Sequence, residues 1–249
     1  MKIFYDLHIH SCLSPCGDNE MTPNNIVNMA RLSGLTAIAL TDHNTCGNCP
    51  ATAAVAEAAG LTFLAGMELC TAEEAHVVCL FPTVQAALAF EQRVAPTLPP
   101  VNNRPDIFGE QILCDADDRP IGTHDILLTT ASGISVDEVV ALVRSFGGTA
   151  VPAHIDRPSY SVTAVLGDLP AVGFAAVEIT EKGDLPALKA QYAEVGNKPL
   201  LLNSDAHYLE DIREAGAWLE LTENTPEAIV AALNGETPVE WGRGYADST

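Results

Sequence analysis

Two of the chain's seven histidines, His8 and His10, stand two apart in "YDLHIHSCLSPCGDN", residues 5–19. Residues i and i+2 of a strand share a face, so both imidazoles project the same way. The others that matter fall at comparable places: His43 follows "TAIALT", His154 ends "TAVPAH", and His207 lies just past "PLLLNSDA". Carboxylates accompany them, with Asp6 beside His8, Asp42 beside His43, Glu68 closing "LTFLAGME", and Asp205 two residues before His207. Neutral imidazole suits Zn, Mn and Fe, and a carboxylate can bridge two ions, so these groups gathered at one mouth would hold divalent transition metals. His76 opens "HVVCLF", the wrong end of a strand for such a mouth unless that strand runs against its neighbours.

The elements that must position these residues alternate between β-branched apolar runs and helical patterns, which indicates (β/α) units around a parallel sheet or barrel. Strand 1 (Ile3–His10) precedes a helix with Thr22 at the N-cap, Pro23 at its first position and Gly34 after its end. An alanine-rich helix over about 50–59, a helix at 83–94 and "SVDEVVALVRSFGG" follow in their turn. The later units are the strand "AAVEIT", a helix over Asp184–Val195, "PLLLNSDAH", a helix over Leu209–Ala215, the strand "AWLEL" and a helix over Thr225–Asn234. Residues 95–131 are rich in Pro, Asp and Gly with weak periodicity, an insertion or lid in a single domain covering residues 1–249. In a βα barrel, functional groups collect where strands run into their following loops, as the histidines do here.

The composition narrows the class. Acidic residues outnumber basic ones 33 to 12, for a net charge of −21, which repels nucleic acid and anionic lipid unless bound cations intervene. The acidic chain therefore favours a small substrate over duplex nucleic acid or a membrane, and a phosphate-bearing one would need bound metal ions. No apolar run approaches the roughly 20 residues of a membrane span, and Met1–Asp6 does not resemble a signal peptide. Seven cysteines, an odd number, point to reduced thiols and a cytoplasmic setting.

The ordered set "DLHIHS" (Asp6–Ser11), "TDHN" (Thr41–Asn44), Glu68, His76, "PAHIDR" (Pro152–Arg157) and "SDAH" (Ser204–His207) resembles the PHP (polymerase and histidinol phosphatase) family. The resemblance implies an α/β fold, a distorted (β/α)7 TIM-like barrel, with two or three divalent ions (Mn, Zn or Fe) at the C-terminal mouth. The implied ligands are His8, His10, His43, Glu68, His76, His154, Asp205 and His207, with Glu68 bridging. The family's first motif usually supplies one more ligand soon after "HS". Here Pro15, Cys16 and Gly17 intervene, so Asp18 is the choice and Glu20 the alternative. Asp6 and Asp42 read as carboxylates that orient the histidines from behind.

The implied chemistry is phosphoester hydrolysis by a metal-bridged hydroxide, with Glu68, His207 and Arg157 as catalytic groups. Arg157, three residues past His154, offers a bidentate fork for phosphate; Tyr160 and Lys182 are further substrate contacts. The substrates that fit are a nucleotide, a nucleoside bisphosphate or a histidinol-phosphate-like monoester. A hydrolase of C–N or carboxyl ester bonds would use a similar mouth, and a non-catalytic metal-binding module would be signalled by missing ligands. Cys12 and Cys16 follow strand 1 while Cys46 and Cys49 follow strand 2. Neighbouring strands could bring these four thiols together around Zn or an Fe–S cluster; the alternative is small, partly buried free thiols.

Overall fold

Strands that are apolar on both faces need cover on both, and that requirement sets the architecture. A computed structural model describes residues 1–244. The elements in chain order are β1 (Lys2–Ile9), α1 (Pro23–Leu32), β2 (Ala37–Leu40), α2 (Cys49–Ala59), β3 (Thr62–Cys70), β4 (His76–Phe81) and α3 (Val84–Val94). There follow a short α4 (Pro105–Phe108), β5 (Ile112–Cys114), β6 (Pro120–Thr123), α5 (Val136–Ser145), β7 (Thr149–Pro152) and α6 (Val162–Leu166). The chain continues through β8 (Val177–Glu178), α7 (Leu185–Gln191), β9 (Leu200–Leu201), β10 (Trp218–Glu220), α8 (Pro226–Leu233) and β11 (Glu240–Gly242).

Seven strands form a curled half-barrel in the order β11-β10-β1-β2-β3-β4-β7, with β8 and β9 as a separate parallel pair. This is the distorted TIM-like architecture expected. Inside the curl, Ile3, Tyr5, Leu7, Leu64, Val78, Leu80 and Val151 meet Ile229, Val230 and Leu233 of α8, which plugs the interior. Outside it, Ile38, Leu40, Met67, Cys79 and Phe81 pack with Ile26, Phe90, Val139 and Val143 from the surrounding helices. Each large side chain buried in this way contributes about 1.5–3 kcal/mol.

Three local features decide where the chemistry falls. β4 runs antiparallel to both β3 and β7, so its first residue, His76, lies at the same mouth as the last residues of the parallel strands. β1 carries a register shift against β2 between Asp6 and Ile9. Such a bulge re-aims side chains: Tyr5 and Leu7 belong to the interior cluster, Ile9 to the outer one, and His8 and His10 turn to the mouth. Residues 95–131 hold α4 and the β5–β6 hairpin, and are tied to the β1 and β2 loops. Ile112 N–H donates to the Cys12 carbonyl (2.9 Å), Cys114 N–H to Asn48 Oδ1 (2.9 Å), and Asn44 Nδ2 to the Leu128 and Thr130 carbonyls (2.7 and 2.8 Å).

The second half of the chain departs from the expected regular units. Leu209–Ala215 forms only a 3-10 turn at Leu209–Asp211; Ile212 is its single well-buried large apolar residue, so no helical face exists to be held. β10 pairs antiparallel with β1 rather than extending the parallel series. Gly66 of β3 leaves no room for a side chain, because a Cβ there would sit 2.4 Å from the Cys79 carbonyl oxygen of β4. Gly66→Ala is therefore expected to cost about 1–3 kcal/mol through forced separation of the two strands, read as a lowered urea midpoint. An unchanged midpoint would show that the β3–β4 contact is looser than described.

Candidate metal centre

The strand ends converge on Glu68, which is 1% exposed. Its Oε1 lies 2.9 Å from His76 Nδ1, 3.2 Å from His154 Nε2 and 3.3 Å from His8 Nε2. Its Oε2 lies 3.1 Å from His43 Nδ1 and 3.4 Å from His10 Nε2. Asp205 Oδ1 completes the group at 3.1 Å from His10 Nε2 and 3.3 Å from His8 Nε2. The His207 ring stacks on His10 with centroids 4.2 Å apart. Bridges between His43 and Glu68 and between Ile9 and Ala206 bring the contributing loops side by side. Asn44, His154 and Asp205 adopt positive φ of 54°, 32° and 54°, a costly conformation for residues with a side chain, and all three lie where a strand turns into the site.

This donor set fits divalent cations. Three groups of ligand atoms lie mutually within 4.8 Å: His10, His43 and His207; His8, His10, Glu68 and Asp205; and His43, Glu68 and His76. The Nε2 atoms of His8 and His10 approach to 3.2 Å, a contact that needs a proton or a shared cation between two lone pairs. His43 Nδ1 is buried without a hydrogen-bond partner despite its proximity to Glu68, so its lone pair suits a cation.

Behind the clustered imidazoles, hydrogen bonds set the ring orientations. Glu178 accepts from His8 Nδ1 at 3.0 and 3.1 Å, which leaves Nε2 facing the cluster. Ser14 Oγ donates to Asp42 Oδ1 (2.7 Å) and so accepts from His10 Nδ1 (2.9 Å). Asp42 thus acts on His10 through Ser14. Asp6 touches no imidazole nitrogen: Oδ1 accepts the Ser204 and His8 amides at 3.0 and 3.5 Å. The bulge makes the difference, since it places Asp6 beside outward Ile38 while His8 turns in. Glu178, Ser14 and Asn203 were not legible as site residues, although Glu178 ends an apolar strand just as Glu68 does.

Burial works against charge on these imidazoles, and neighbours decide each outcome. For His8, burial is outweighed by Glu178, Asp205 and Glu68, which hold the ring protonated well above its ordinary range. His10 is likewise raised against burial, by Asp205 and Glu68. His76 is raised against burial to about 10 by Glu68. Burial and the charge of His10 push His43 and His207 down to about 4. Glu68 and Asp205 are held well below the carboxylate range: burial opposes this, but His76 and His8 dominate for the first and His8 and His10 for the second.

The remaining expected residues divide. Arg157 Nη1 lies 2.6 Å from Asp205 Oδ2 at the rim. Tyr160, 54% exposed, stacks on His76 with centroids 4.9 Å apart. Lys182 shares with Arg157 the lining of a cavity of about 760 Å3. Asp18 stands apart, its Oδ1 accepting the Glu20 amide (2.8 Å) and only its backbone N–H reaching the His207 carbonyl (2.9 Å), while Glu20 is exposed. The four cysteines do not converge. Cys12 Sγ meets Cys114 Sγ at 3.6 Å, Cys46 and Cys49 both donate to the Gly66 carbonyl, and Cys16 is exposed. Among the described residues no cysteine belongs to a ligand group; Cys12 turns to the β5 strand of the inserted segment and Cys46 and Cys49 to β3, so each pair is taken up by its own packing.

A half-barrel whose mouth gathers imidazoles around a buried carboxylate defines a metal-dependent hydrolase. The PHP domain profile matches residues 6–147. The chain belongs to that family. Comparison with curated protein sequences returns no match. Among solved structures, the lesion-specific endonuclease EndoQ from Pyrococcus furiosus superposes with a TM-score of 0.68 at 20% identity, over 97% of this chain and 58% of that one. Endonuclease Q in complex with a 27-mer duplex, an abasic lesion at its active site, gives 0.64 at 19% over 96% and 58%. A protein from Bifidobacterium adolescentis, provisionally described as a metal-dependent phosphoesterase, gives 0.57 at 19% over 82% and 87%. This chain spans a little over half the length of the endonucleases, and identities this low establish the fold.

One expectation is overturned here. The acidic balance does not bar duplex nucleic acid, because a protein with this fold holds a DNA duplex at its active site; net charge is a whole-chain sum, whereas binding depends on the local surface and its cations. No helix among the described residues is long and apolar enough to cross a membrane.

The raised imidazoles generate a prediction. Metal ligation needs neutral rings, so loading the chelated protein at pH 7 should release protons from His8, His10 and His76. Calorimetric binding heats should then vary with the buffer's ionisation enthalpy, and apparent affinity should fall as pH drops. Without metal, the His76 contribution is fully present below its ordinary 6.5 and lost as pH rises through about 10. Buffer-independent heats would contradict the protonated network.

Proposed function

We propose that the protein is a metal-dependent phosphoesterase that releases phosphate from a small phosphorylated metabolite: a nucleotide, a nucleoside bisphosphate or a histidinol-phosphate-like monoester. The observation that carries the reading is Arg157, whose guanidinium contacts Asp205 at 2.6 Å at the edge of the cluster. A planar fork of donors beside a cation site suits the tetrahedral dianion of a phosphoester; an amide offers it no matching charge. Arg157 also lines the cavity of about 760 Å3 that runs past Lys182 to Tyr192, within the size range of small-molecule sites.

On this reading His8, His10, His43, Glu68, His76, His154, Asp205 and His207 would hold two or three divalent ions, Mn, Zn or Fe, with Glu68, whose two oxygens face different imidazoles, at the centre. Bound ions of this kind acidify a coordinated water and neutralise phosphate oxygens. The chain's own groups then orient the substrate. Arg157 neutralises a phosphate oxygen, Tyr160 shields the His76 ring from solvent, and His207, pushed down to about 4 by burial and the charge of His10, is neutral at pH 7 and offers a lone pair without first losing a proton. The segment 95–131, tied to the β1 and β2 loops, serves as the lid over one side of the mouth. Reduced thiols are consistent with a cytoplasmic setting.

The test is phosphate release from a panel of monoesters, run beside amides, carboxyl esters and an abasic-site duplex. Turnover of monoesters should vanish on chelation and return with Mn, Zn or Fe. Arg157→Gln should lower kcat/KM on the order of 100-fold, as when one donor to a developing anion is lost. Cleavage of amides alone would overturn the reading. Incision of the duplex without monoester turnover would move the substrate to the endonuclease class, which the likeness to Endonuclease Q makes the second reading.

A further inference from the structure

The ring of strands that carries the ligands is open at two places. β7 and β8 share no ladder, and β9 belongs to a different sheet from β1. Ligands nonetheless arrive from both sides of each gap: His154 follows β7, Asp205 follows β9, and His8 lies on β1. Whatever sets the distances across these seams also sets the metal geometry.

We propose that Glu178, through Asn203, closes both seams and fixes the tautomer of His8, which makes it the positioning residue for the ion held by His8, His10, Glu68 and Asp205. At the first seam Glu178 Oε1 accepts the His154 backbone N–H at 3.0 Å, and the Glu178 carbonyl accepts the Ile155 N–H at 2.9 Å. At the second, Asn203 Oδ1 accepts the Leu7 N–H at 2.8 Å. Asn203 Nδ2 donates to Glu178 Oε2 at 2.6 Å, which joins the two. Side chains here add to the few backbone bonds that cross the seams, Ile155 N–H to the Glu178 carbonyl and His10 N–H to the Ala206 carbonyl, both at 2.9 Å, where a continuous sheet would have a full ladder.

The same carboxylate faces the His8 ring. Both its oxygens lie within 3.1 Å of Nδ1, and a carboxylate only accepts, so Nδ1 keeps its proton and Nε2, which lies 3.3 Å from Glu68 and from Asp205, is the nitrogen that gives up its proton to present a lone pair to a cation. Glu178 is 2% exposed, and its acceptor sites are taken up by His8, His154 and Asn203. It belongs to none of the ligand groups found among the described residues. The carboxylate therefore orients a ligand and is not one itself. Its one-atom adjustments reach two imidazoles that both touch Glu68 Oε1, at 3.3 and 3.2 Å. Glutamine cannot replace it: the amide nitrogen has no acceptor role, yet every neighbour of Glu178 here is a donor. The inference needs only the metal site and is independent of which bond the enzyme cleaves.

The test uses the full chain, chelated and then titrated with Zn in competition with a chromophoric chelator. Glu178→Gln should weaken one ion about 10–100-fold, while the ion at His43, Glu68 and His76 stays bound. A merely structural role would lower the melting temperature of the chelated protein and leave both affinity and stoichiometry as in the wild type, and that result would overturn the proposal. Should Glu178→Gln not fold, Glu178→Asp, one methylene shorter, is expected to move the same affinity in the same direction. A second readout needs no variant. Long-range 1H–15N spectra of the Zn-loaded wild type should show His8 protonated at Nδ1, and a proton on Nε2 would refute the assignment.

Discussion

A single buried carboxylate organises this molecule: Glu68 lies between 2.9 and 3.4 Å from nitrogens of five imidazoles drawn from four separate segments. Such a contact costs desolvation that only positive charge can offset. Protons on His8, His10 and His76 supply that charge when metal is absent, and divalent ions supply it more effectively because they also satisfy the neutral nitrogens of His43 and His207. The site is thus built to exchange protons for cations. Much of the surrounding structure follows from keeping those five rings apart by a fixed distance.

The fold meets this demand with devices that a regular barrel lacks. The reversed β4 delivers His76 and Glu68 from adjacent antiparallel strands, with Cys70 paired to His76 in register. The β1 bulge turns His8 to the mouth, and left-handed residues at Asn44, His154 and Asp205 aim the following loops. Each device costs stability locally. The two apolar layers repay it: an inner layer closed by α8 and an outer layer beneath α1, α2, α3 and α5. Beside the cluster, Arg157, 2.6 Å from Asp205, places a fixed positive charge at the rim of a strongly acidic chain.

The parts of this arrangement readable from sequence were those with a local signature. Alternating apolar runs and capped helices mark β1 to β4 and α1 to α3, and histidines at strand ends mark the rings that gather around Glu68. Glu178 carried the same signature, but a lone carboxylate without a neighbouring histidine has no spacing to set it apart. The β1 bulge leaves no trace in the sequence because it depends on pairing with β2, and period-2 alternation alone cannot show an extra residue; alternation puts Asp6 behind the histidine rings, whereas its Oδ1 holds backbone amides of Ser204 and His8. Leu209–Ala215 resembled a helix in length but had no apolar face to bury. The first-loop carboxylate expected at Asp18 accepts the Glu20 amide with Oδ1 and belongs to none of the ligand groups found among the described residues, and the four cysteines of the β1 and β2 loops part because Cys12 finds Cys114 of β5. Net charge misled as well, since a sum over 249 residues carries no information about one face.

The most direct test is anomalous diffraction from crystals loaded with Mn or Zn, recorded on both sides of the metal edge. The expected result is two or three peaks around Glu68, with His8, His10 and Asp205 ligating one of them at about 2.0–2.2 Å. Peaks elsewhere on the acidic surface, with none in bonding reach of Glu68, would contradict the centre described here.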